Sequence, residues 1–139
     1  KGQKSYGSLS VKKIKTSNYI LKENEYSQRL IQGKVISVQF ISQNKKTKII
    51  SICDQINLKG TYTIDYLVTK DISNKYKKEI SILIKKLTSI FNLNGLNSVE
   101  LVSEKKKYFL IEINSRPGLG INIVGKLNGG PFFSKKKRF

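Results

Sequence analysis

Histidine, methionine, tryptophan and alanine are absent from this 139-residue chain, and cysteine occurs once. Without histidine, no nucleophile-histidine pair can form. A lone Cys53 leaves neither an intrachain disulfide nor a cysteine-based metal cluster, and it is expected to sit in a strand as a small hydrophobe. No apolar run approaches the length of a membrane span and no secretory leader is visible, so a cytoplasmic setting without a membrane partner is the expectation. The start at Lys1 and the missing methionine make the chain look like a fragment of a longer polypeptide.

Acidic residues are scarce as well. Nine Asp and Glu stand against 27 Lys and Arg, a formal charge of +18. Such a balance ordinarily points to nucleic acid or another polyanion, because clustered cations release counterions from phosphates. Here 24 of the cations are Lys, and the three Arg are Arg29, Arg116 and Arg138. Lys, Ile and Asn have A/T-rich codons and Ala has G/C-rich ones, so a biased genome accounts for much of the charge. A nucleic-acid groove would also use Arg for two-pronged contacts and aromatics for stacking. The lysine runs at Lys45–Lys48, Lys105–Lys107 and Lys135–Arg138 therefore read as solvated surface. A basic nucleic-acid- or ribosome-binding module stands as the alternative.

What is present suffices for one core. At 139 residues and 38% hydrophobic content, one domain, or one domain and a remnant, is expected. Residues 1–15 read as a polar loop leading into a short strand, and "NEYSQRLIQG" closes at Gly33. Val35–Ser42 and Lys48–Cys53 form a hairpin pattern across "QNKKT". A turn at Lys59-Gly60 and a strand in "YTIDYLV" follow. Between about Ser73 and Phe91 the residues Tyr76, Ile80, Leu83, Ile84, Leu87, Ile90 and Phe91 recur at steps of three and four, which makes a helix with one apolar stripe. Asn94-Gly95 ends it. "SVELV" and "YFLIEIN" form a second hairpin across "SEKKK", and from Leu119 the tail is glycine-rich and then basic.

The second hairpin carries the chemistry. Strand alternation puts Tyr108, Leu110, Glu112 and Asn114 on one face and Phe109, Ile111 and Ile113 on the other. If Lys105–Lys107 form a three-residue loop, residues summing to 212 face each other and Glu100 lies opposite Glu112. Opposed like charges are destabilising unless something positive sits between them. Two carboxylates and an amide oxygen on one spot make a hard-oxygen site suited to Mg²⁺, and Arg116 could hold a phosphate or carboxylate by two parallel hydrogen bonds. Two acids facing water and neutralised by nearby lysines would account for the same spacing.

The stretch "GLNSVELVSEKKKYFLIEINSRPG" resembles the terminal hairpin of ATP-grasp enzymes, in which an acid is followed a hairpin later by Glu-x-Asn and often Arg-Pro or Pro-Gly. The resemblance implies that Glu100, Glu112 and Asn114 ligate Mg²⁺, or Mn²⁺ in its place, on the ATP phosphates. It gives Arg116 a catalytic role, and Arg116 and Gly118 contact with the substrate. "YSQRLIQGKVISV" resembles the family's hinge, a strand ending beside the adenine edge, and maps nucleotide contacts onto Gln28, Arg29, Leu30 and Ile31. The family's ribose-binding acid falls near Val35, so Glu25 or another group would replace it, or the ribose would be held less tightly. "KGQKSYGSLSV" resembles the phosphate-covering loop with Lys1 as phosphate lysine, although only about a dozen residues separate loop and hinge, too few for the usual helix. Lys59 is the second candidate lysine.

The implied fold is α+β: an ATP-grasp C-terminal lobe, mainly antiparallel sheet with one long amphipathic helix packed on it, plus a remnant of the central lobe. The remnant would be residues 1–27 and the lobe residues 28–139, with a basic tail from about 132. The implied function is an ATP-dependent carboxylate-amine ligase. ATP and small carboxylate and amine substrates would be its partners, together with the missing N-terminal domain of the same polypeptide. A degenerate, non-catalytic lobe is the further alternative.

Overall fold

A computed structural model of the chain describes residues 11–16, 18–105 and 107–127. Strands β1 (Lys34–Gln43), β2 (Lys46–Asn57), β3 (Ile64–Thr69), β4 (Gly95–Glu104) and β5 (Lys107–Asn114) accompany helices α1 (Asn74–Phe91) and α2 (Gly120–Leu127). The strands form one sheet in the order β3-β2-β1-β4-β5, and every neighbouring pair is antiparallel. This is the α+β arrangement the sequence implied.

Directly opposed residues of an antiparallel pair share a face, so the ladders sort the sheet into two surfaces. One carries Ile36, Val38, Phe40, Ile52, Val99 and Leu101, all buried, and α1 covers it with Ile80, Ile84 and Leu87. Burying such side chains contributes about 1.5–3 kcal/mol each, which makes this layer the main source of stability. Ile90 and Phe91, assigned to the same stripe from their spacing, are instead exposed at 60% and 56%. The helix stops on Asn92 in the left-handed conformation, whose N–H donates to the Thr88 carbonyl, and Leu93 rather than Phe91 enters the core. Asn92, not Asn94, is therefore the terminator, a left-handed C-cap of the kind Asn tolerates.

The opposite surface is polar along β1 and β4: Ser37, Gln39 and Ser98 are all buried there. Helix α2 lies against β1 and β2 on this side, with Ile121 and Val124 buried. The tail beginning at Leu119 thus holds a helix the sequence reading missed. Its run "GINIVGKL" contains two Gly, an Asn and three β-branched residues, all poor helix formers, so its order depends on docking to the sheet. Cys53, fully buried in β2, fills the expected role of a small hydrophobe, and burial pushes its thiol pKa up.

The N-terminal segment also departs from expectation, since residues 11–16 contain no strand. It is instead tied by Glu25, which accepts from the Tyr19 hydroxyl at 2.8 Å and the Lys22 N–H at 3.1 Å, and pairs with Lys12 at 3.3 Å. The Lys22 amide, then Tyr19 and Lys12, hold the pKa of Glu25 down from 4.5 to about 2. A depressed folded-state pKa stabilises the clip above the ordinary carboxylate value and loses that contribution as pH falls through the folded value. The clip is expected to stay closed at pH 5 and to open as pH approaches 2. A carbon-detected NMR titration of the Glu25 carboxyl checks this, with a midpoint near 4.5 as the contrary result.

Candidate active site

Glu100 and Glu112 are direct cross-strand partners, and Ser98 and Asn114 form the next pair on the same face. Continued across β1 and β2, the register gives two parallel rows. The first is Glu112, Glu100, Ser37, Cys53, and the second is Asn114, Ser98, Gln39, Ser51. Both acids and Asn114 are half-buried. Two carboxylates and an amide oxygen therefore occupy adjacent rows at the β4-β5 edge of the polar surface. Among the described residues no group of three His, Cys, Asp or Glu is placed to hold a metal, so a cation here would rely on this mixed set. That set suits a hard divalent ion that keeps several waters.

The opposition of Glu100 and Glu112 agrees with the sequence reading, but by a different route. Glu104 pairs with Lys107 and Leu101 with Leu110, and the register shifts between Glu100 and Leu101. Only two residues thus separate the strands at the turn, where Lys105 has φ of 48°, instead of the expected three. A bulge at Ile111 restores the sum of 212 just before the acids. Bulges break alternation and re-aim side chains, and this one corrects the predicted faces: Tyr108 and Leu110 lie on the α1 side, away from Glu112 and Asn114. Tyr108 meets Tyr76 of α1 edge to face at 6.1 Å.

After Asn114 the chain leaves β5 and crosses the second row. The Ser98 hydroxyl donates to the Arg116 carbonyl at 3.4 Å, and the Gly118 N–H donates to Gln39 Oε1 at 2.9 Å. The Gln39 amide donates in turn to Ser37 Oγ at 3.2 Å. A methyl group at Gly118 would stand 2.7 Å from Gln39 Nε2 and 2.8 Å from Ser98 Oγ. Only glycine lets the strap lie this close. Arg116 itself is exposed, its guanidinium reaching no further than the Pro117 carbonyl at 3.4 Å. Gly118, expected to touch substrate, spends its N–H on Gln39. Nothing in the sequence pattern distinguished Gln39, a polar residue in mid-strand.

The expected hinge residues Gln28–Ile31 are not in a strand; β1 starts only at Lys34. Gln28, Arg29 and Leu30 are exposed and Ile31 is half-buried. Arg29 and Leu30 line an open cleft of about 780 Å³ together with Gln32, Gly33, Lys34, Lys70 and Ser103–Lys105. The Gln32 N–H donates to Glu104 at 3.0 Å, and Gly33 packs so tightly on β4 that a methyl there would stand 2.1 Å from the Ser103 carbonyl oxygen. Val35 lies half-buried opposite Val102, and the Glu25 carboxylate is committed to its local clip. Lys59 stands exposed at the β2-β3 turn, beyond the end of β2 and apart from the acid row. Lys1 falls outside the described residues.

The fold is similar to those of solved structures. An L-amino acid ligase from Bacillus licheniformis matches 70% of this chain and 25% of its own length, with a TM-score of 0.60 and 18% identity. D-alanyl-alanine synthetase A from Vibrio cholerae matches 74% of this chain and 35% of its own length, with a TM-score of 0.57 and 18% identity. At these identities the likeness establishes the fold. A family model described as an ATP-grasp domain matches residues 1–119; the chain belongs to the ATP-grasp family. The carbamoyl phosphate synthase large chain of Clostridium perfringens is 23% identical over 106 residues, which are 74% of this chain and 10% of that protein. The chain therefore spans a tenth of that relative and a quarter to a third of the two ligases. No helix among the described residues is long and apolar enough to cross a membrane.

Proposed function

We propose that this chain is the ATP- and Mg²⁺-binding part of an ATP-dependent ligase that activates a carboxylate as an acyl phosphate and joins it to an amine or similar nucleophile. The observation that carries the reading is the direct opposition of Glu100 and Glu112 with Asn114 one row away, in a chain matched to the ATP-grasp domain over residues 1–119. In this reading Glu100, Glu112 and Asn114 hold the cation. Mg²⁺, when bound, supplies charge neutralisation of the phosphate oxygens. Arg116, exposed beside the second row, swings from the Pro117 carbonyl to a phosphate or carboxylate and orients it with its planar fork.

The cleft at Arg29, Leu30 and Gln32 offers a place for the base. Residues 1–27 are taken as a remnant of the central lobe and 28–139 as the C-terminal lobe, with Lys1 or Lys59 serving the phosphates. No side chain has to act as a nucleophile, because the substrate carboxylate attacks and the protein positions and neutralises charge. The absence of histidine is compatible with that chemistry.

Calorimetric titration of the chain with a non-hydrolysable ATP analogue tests the reading. Binding is expected with Mg²⁺ and at least about tenfold weaker with EDTA, as an anion loses its bridging cation. Metal-independent binding would contradict the site, and no binding under either condition favours a degenerate lobe.

A further inference from the structure

We propose that Gln39 is the positioning residue of this site: it clamps the strap from Arg116 to Gly120 across the second row and so sets the wall against which the phosphate groups lie. The inference rests on the ATP-binding reading for what the wall meets, while the clamp itself stands on geometry.

Gln39 is 1% exposed at the centre of the sheet. A buried amide in that position costs stability unless its donor and acceptor are both used. Here both are: Oε1 takes the Gly118 N–H at 2.9 Å and Nε2 donates to Ser37 Oγ at 3.2 Å. One bond reaches up to the strap, and the other reaches sideways to the residue opposite Glu100 in the acid row. The side chain thereby ties the height of the strap to the row that carries both carboxylates.

The strap is fitted to Gln39 rather than merely near it. A methyl on Gly118 would stand 2.7 Å from Nε2, and one on Gly120 would stand 3.1 Å from Cγ. Two glycines thus leave room for one amide. The strap follows the end of β5 at Asn114, which lies in line with Gln39 two strands away, about 10 Å at the usual interstrand spacing. The row of Ser37, Glu100 and Glu112 lies one row or roughly 7 Å further along the strands, with Ser37 buried and both acids half-buried. Arg116 projects from the strap's near end and α2 starts at its far end. Lowering or raising the strap moves both relative to the acids.

Gln39→Met keeps the volume and removes both hydrogen bonds, and Gln39→Glu restores the acceptor. Amide exchange by NMR in the 139-residue chain is expected to give at least about tenfold faster exchange at Gly118 in Gln39→Met, with Val38 and Val99 unchanged, because only the local opening free energy falls. Gln39→Glu is expected to recover most of that protection. Mn²⁺ alone, followed by electron paramagnetic resonance, should bind Gln39→Met as it binds the natural chain, since Gln39 is not a ligand and the substitution leaves the charge unchanged. Mn²⁺-ATP should bind Gln39→Met about tenfold more weakly, as expected for one misplaced contact to a charged group. Unchanged Gly118 exchange in Gln39→Met overturns the clamp. Equal losses for Mn²⁺ and Mn²⁺-ATP, or loss of protection throughout the sheet, reduce Gln39 to a folding role and also overturn the proposal. If the natural chain fails to bind Mn²⁺-ATP, the ligase reading falls, and the Gly118 comparison still decides the clamp.

Discussion

Glu112→Gln is expected to abolish Mg²⁺-dependent ATP binding while leaving the fold intact. The substitution keeps the shape of the side chain and one oxygen, and removes the charge. A site with two carboxylates opposite each other drops to one, against a divalent cation held at close range by few protein ligands. Losing a partner outside the ligand shell commonly costs 10–100-fold in metal affinity, so losing a ligand's charge should cost at least about 100-fold. The natural chain should gain thermal stability on adding Mg²⁺ and nucleotide, by linkage, and the variant should not. Asp65→Asn, an exposed position on edge strand β3, makes the same change in net charge and should leave binding as it was. Retained Mg²⁺-ATP affinity in Glu112→Gln, or equal loss in Asp65→Asn, would remove these acids from the metal site.

The opposition of Glu100 and Glu112 was legible because two departures compensate. A turn one residue shorter than expected shifts the register, and the bulge at Ile111 shifts it back before the acids. Turn length follows from local chemistry that a run of lysines leaves undetermined, and a bulge has no signature in an apolar strand. The assignment therefore held for the pair and failed for Tyr108 and Leu110. The long helix was legible from its period, except at Ile90 and Phe91, where the cap at Asn92 ends the packing. Gln39 and α2 were not legible at all. The first is a polar residue whose partner, Gly118, lies 79 residues away. The second is made of residues that disfavour helix in isolation, so only tertiary contact reveals it.

The sheet that aligns these rows depends on its other face, and Phe40→Ala is expected to cost about 3–5 kcal/mol. Phe40 is the largest fully buried side chain among the described residues, at 0% exposure. It follows Gln39 directly, pairs with Ile49 on β2 and Asn97 on β4, and belongs to the cluster that α1 closes with Ile80, Ile84 and Leu87. Truncation removes the ring's transfer free energy and leaves a cavity between a sheet and a helix that cannot both relax into it. Domains of this size hold roughly 5–15 kcal/mol in total, so the variant should unfold at a much lower urea midpoint and be partly unfolded at 37 °C if the chain lies at the low end. Phe40→Leu, which keeps much of the volume, should lose less. Because the same β1 residues present Ser37 and Gln39 to the opposite face, Mg²⁺-ATP binding should weaken in proportion to the unfolded fraction and return when the temperature is lowered. A variant that stays fully folded yet loses binding would mean that the ring acts on the site through the sheet rather than through stability.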